Sequence, residues 1–65
     1  MAQVPDEAVR EISRALKDFG YPVDFAYCRK AVDDLMAGES AKGGPQMFIH
    51  KWLYDAKLVS VDPDA

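Results

Sequence analysis

Few residues in this 65-residue chain could do chemistry. One cysteine, Cys28, and one histidine, His50, formally allow a thiolate–imidazole pair. Such a pair needs an accessible thiol whose pKa is lowered by its surroundings. Cys28 instead shares a helical stripe with Phe25, Val32, Leu35 and Met36, where a cysteine acts as a small hydrophobe. His50 falls outside the apolar stripe of its own segment. Asp33 and Asp34 are adjacent, so on a helix they point in different directions and do not form an acid–base pair. One Cys, one His and no Cys-x-x-Cys spacing are too few for a closed zinc site. The Gly38 to Gly43 spacing matches the opening of a phosphate-binding loop, but Gly44-Pro45 stands where Lys and Ser/Thr are required. No catalytic residue, metal site or cofactor is therefore expected.

Chain length and charge narrow the remaining classes. A single domain this short buries only about 60% of its unfolded surface, which leaves a small core and no deep cleft. The formal net charge is -3, which weighs against nucleic acid or an anionic membrane as the main partner. A lone cysteine cannot staple the fold internally and fits a reducing compartment. With no basic-then-apolar leader and no apolar run of membrane-spanning length in the sequence, the expected location is the cytoplasm.

The elements that must position any site read as three amphipathic helices. Residues 1–4 form a loose leader, and Pro5, Asp6 and Glu7 suit a first helical turn. Val9, Ile12, Leu16 and Phe19 then recur on one stripe. Arg10, Arg14 and Lys17 lie opposite, and Asp6–Arg10 and Arg14–Asp18 are spaced as i,i+4 pairs on a solvated face. The stretch Phe19-Gly20-Tyr21-Pro22-Val23-Asp24 ends this helix and starts the next. Gly20 suits the left-handed position past a helix end, Tyr21 can pack back on Leu16, and Asp24 can cap the following helix. Val23 and Cys28 are spaced as a hydrophobic staple.

The second helix is predicted from about Phe25 to Ala37, with Arg29–Asp33 and Lys30–Asp34 paired on its wet side and Gly38 as its stop. A glycine-rich loop over 38–44 leads to Pro45, which opens the third helix. Phe48, Ile49, Trp52, Leu53 and Ala56 form its buried stripe, while Met47, His50 and Tyr54 recur on a different side. Leu58-Val59-Ser60-Val61 follows as a short extended tail that covers the core edge or forms a lone strand, and residues 62–65 read as a frayed acidic end. The predicted core is Ile12, Leu16, Phe19, Phe25, Val32, Leu35, Phe48, Trp52 and Leu53. The chain should thus be all-α, a compact three-helix bundle over 5–61.

Two functional classes survive. A helix-turn-helix or winged-helix regulator would use the third helix, which offers only Gln46, His50, Lys51 and Lys57 to a groove or to phosphates. A protein-interaction module would use the aromatic residues at the 19–21 turn and the Met47, His50 and Tyr54 stripe, whose composition suits an interface.

The order of residues also resembles a ubiquitin-associated (UBA) domain, a pattern matched by Phe19-Gly20-Tyr21, Cys28-Arg29-Lys30-Ala31-Val32 and Trp52-Leu53 over roughly residues 6–57. Phe19 stands where that family has methionine, and the 38–44 loop is longer than its short connection. The resemblance implies a three-helix bundle that binds a partner protein through Phe19, Gly20, Tyr21 and Leu53, with a ubiquitin-like partner only in a eukaryote. The expectation is therefore a non-catalytic docking module, a monomer or weak homodimer, with DNA binding as the alternative.

Overall fold

The structure, a computed structural model, describes residues 4–62. The chain is an all-α three-helix bundle: α1 spans Asp6–Phe19, α2 Phe25–Met36 and α3 Pro45–Asp55, and every pair of helices is in contact. Among the described residues there is no strand, and the segment after α3 is a run of turns and bends and not the expected extended tail. No helix within them is long and apolar enough to cross a membrane.

Local chemistry sets the helix ends. Asp6 and Glu7 occupy the first turn of α1, near its positive dipole end. At the other end Gly20 adopts φ 114°, its N–H reaches the Lys17 carbonyl at 3.1 Å, and the Tyr21 N–H reaches the Leu16 carbonyl at 2.8 Å. This pair of bonds is the Schellman turn predicted from Gly20. Asp24 caps α2, its Oδ1 accepting from the Tyr27 N–H at 2.9 Å. The same double bond closes α2 at Gly38 and α3 at Lys57. Lys57 is the one non-glycine with positive φ, 62°, among the described residues, and Leu58 after it packs on the core.

Ile12, Leu16, Val9, Val32, Cys28, Ile49 and Leu53 are fully buried, with Ala31, Leu35 and Val4 close behind. The predicted core needs correction on its aromatic residues. Phe19 is 68% exposed, and Phe25, Phe48 and Trp52 are only half-buried at the core margin. Three helices of 11 to 14 residues enclose room for aliphatic side chains, so the large rings are displaced to the seams.

The leader also differs from expectation. Val4 is not loose: its side chain is buried, and its carbonyl accepts from Arg29 Nη1 at 2.7 Å. Arg29 also bonds the Asp6 carboxylate at 3.1 Å and grips Asp33 through Nε and Nη2. Its guanidinium therefore ties α2 to the start of α1, a fork geometry that a lysine cannot supply. Asp6 is thus engaged with Arg29 and not with Arg10, which lies 5.6 Å over the Phe25 ring. The expected leader residues 1–3 and tail residues 63–65 lie outside the described residues.

Candidate functional site

Gly20 turns the chain so sharply that Phe19, the last residue of α1, projects from the bundle. Tyr21 comes back beside it, with ring centroids 5.8 Å apart in a stacked arrangement. Phe48 from α3 also approaches Phe19, its ring centroid at 5.6 Å. Trp52, one turn beyond Phe48, is half-buried on the same flank of α3. Ala15, one turn before Phe19, is half-buried too. An aromatic strip therefore runs along the seam between α1 and α3, the least extensively packed of the three helix pairs. Phe19 is its most exposed member.

The predicted contact residues do not form one surface. Phe19, Gly20 and Tyr21 lie together at the strip. Leu53 lies beneath α3 with no exposed area, so it supports the surface from the core and touches nothing outside it. Met47, His50 and Tyr54 are on the far flank of α3. Phe48 and His50 are two residues apart on a helix of about 3.6 residues per turn, which puts them on nearly opposite sides. Phe48 and Trp52 were expected only as core and are the members of the strip that the sequence did not single out. Their position within one turn of each other on α3 was the available signal.

His50 requires its own correction. It was expected on an exposed stripe, but only 9% of its surface is accessible. Its Nε2 lies 2.9 Å from the Val61 carbonyl oxygen. A carbonyl only accepts, so Nε2 carries the proton in this bond. The tail thus folds back against α3 through Leu58 and Val59, which pack on the core, and through this bond at its end. A shallow groove of about 450 Å³ remains, with Met36, Met47, His50 and Val61 in its lining. Met47 and Tyr54 are each 37% exposed, and Tyr54 borders a separate hollow with Lys57 and Ser60.

Cys28 is fully buried on α2. Burial pushes its thiol pKa up, and the neighbouring Ser13 hydroxyl opposes the shift. That is the reverse of what activates a thiolate. Ser13 itself is buried and donates to the Val23 carbonyl at 3.3 Å, tying α1 to the turn before α2. Among the described residues, no group of three or more His, Cys, Asp or Glu side chains is placed to hold a metal ion.

Charge is segregated around α1. Arg10 and Lys17 are nine and two residues before Phe19, hence on the opposite side of the helix, toward α2. Glu11 and Asp18, both exposed, border the Phe19 side. On α3, Asp55 continues the Phe48–Trp52 line at i+7.

The geometry defines a small helical bundle with an exposed aromatic seam. No protein-family model, curated protein or solved structure matches the chain.

Proposed function

We propose that this chain is a small, non-catalytic docking module of the cytoplasm that binds another protein through the aromatic strip at Phe19 and Tyr21. The observation that carries this reading is the exposure of Phe19, 68%, beside Tyr21 and Phe48. A phenylalanine this exposed gives folding only part of what its burial would, whereas pre-ordered aromatic anchors contribute most to protein interfaces. The resemblance to UBA domains adds support, because the contact loop it implies is this same Phe19-Gly20-Tyr21 turn. It implies a ubiquitin-like partner if the chain is eukaryotic.

DNA binding draws less support. His50 is engaged with Val61, and the Gln46 side chain accepts from the Lys42 backbone at 3.1 Å. Lys51 is engaged as well, so three of the four groups nominated for DNA contact are occupied internally.

The test compares immobilised wild type with Phe19→Ser, both checked by circular dichroism, in extract from the source organism. A protein retained by wild type and lost from Phe19→Ser, then bound directly as a purified component, supports docking through the strip. Retention unaffected by Phe19→Ser refutes it. Salt-sensitive binding of a DNA duplex that shifts the amides of Arg14 and Lys51 would transfer the assignment to the alternative.

A further inference from the structure

We infer that the partner of this strip is an amphipathic helix whose apolar stripe is bordered by Lys and Arg. This rests on the docking reading above and adds the shape and charge of what docks. The shape follows from the bundle. The seam between α1 and α3 is the least packed of the three, and half-buried Ala15, Tyr21, Phe48 and Trp52 are left along it beside exposed Phe19. A fourth helix laid against both α1 and α3 would complete their burial, as in a four-helix bundle.

The charge follows from the borders. Glu11 and Asp18 flank the α1 side, and Asp55 lies in line with Phe48 and Trp52 on α3. Arg10 and Lys17 are turned to the α2 side, and Arg10 is stacked on Phe25. Lys51, beside Phe48 on α3, is engaged in an interaction of its own. Two copies meeting strip to strip would bring these acidic borders together, which opposes a homodimer and favours a basic partner.

The experiment titrates the isotopically labelled 65-residue chain with two synthetic 18-residue helical peptides. Both carry the same Leu/Ala stripe, one bordered by Lys and the other by Glu. The Lys peptide is expected to bind at least about tenfold more tightly at low salt and to lose that advantage as salt is raised. Its shifts should centre on Ala15, Phe19, Tyr21, Phe48 and Trp52 and vanish in Phe19→Ser.

Equal binding of the two peptides, or preference for the Glu peptide, overturns the inference. So does Lys-peptide binding unaffected by Phe19→Ser. If a partner is still captured through Phe19 in those cases, the docking reading survives without the charge rule. Shifts at the same residues on simple concentration of the protein would make a second copy the occupant, which also overturns the inference.

Discussion

Gly20 and Lys57 occupy the same position in two copies of one turn, and exchanging their residue types gives opposite expected outcomes. Each N–H closes onto the third carbonyl back in sequence, Gly20 on Lys17 at 3.1 Å and Lys57 on Tyr54 at 3.0 Å. Each has positive φ, 114° and 62°. A Cβ at Gly20 would meet nothing within 4 Å, so Gly20→Ala changes only backbone energetics. Left-handed backbone disfavours a residue with a Cβ by roughly 1–2 kcal/mol. Against this, alanine restricts the unfolded chain, which returns about 0.4–1 kcal/mol. The net expectation is a loss of about 1 kcal/mol. For Lys57→Gly the same quantities change sign, giving a gain of about 1 kcal/mol, because the side chain is exposed. In a domain of this size 1 kcal/mol shifts the melting temperature by about 4–8 °C. Thermal unfolding followed by circular dichroism should show Gly20→Ala melting below wild type and Lys57→Gly above it. A Gly20→Ala variant that melts at or above wild type would refute the reasoning, as would a Lys57→Gly variant that melts lower.

Arg29→Lys should destabilise by about 1–2 kcal/mol, since one ammonium cannot replace the fork joining Val4, Asp6 and Asp33; amide exchange should accelerate at Ala8 and Val9, whose N–H groups bond the Pro5 carbonyl. Unchanged exchange there would mean that Arg29 does not hold the leader. Leu53→Ala, at a fully buried site, should cost about 2–5 kcal/mol in urea unfolding and more than Trp52→Ala, because Trp52 is only half-buried; the reverse order would refute this placement of the core. Burial raises the Cys28 pKa, so the folded state holds the proton more tightly than the unfolded chain. That contribution is present below about pH 8.5, where an unfolded thiol is protonated, and is lost as pH rises from there through the folded pKa. Cys28→Ala should flatten the fall in stability on this alkaline side, and an unchanged pH profile would remove Cys28 as a cause.

Much of the fold was legible because helix ends depend on neighbours in sequence. The stop at Gly20, the cap at Asp24 and the start at Pro45 each follow from a few adjacent residues, and α1, α2 and α3 fall where those signals put them. Of the candidate site, Phe19, Gly20 and Tyr21 come together because they are consecutive. Phe48 and Trp52 could not be joined to them from the sequence, since a stripe on one helix does not say which edge of it the neighbouring helix covers.

The sequence by itself thus determined three helices, their limits and an all-α bundle, through backbone geometry and apolar periodicity that act over a few residues. Tertiary structure alone decided which members of each stripe are buried. It left Phe19 in solvent because the space between three short helices is filled by aliphatic side chains. It drew Val4 inward through Arg29, 25 residues away, and bonded buried His50 to the Val61 carbonyl, 11 residues away. Those contacts depend on how distant segments meet, which no local pattern contains.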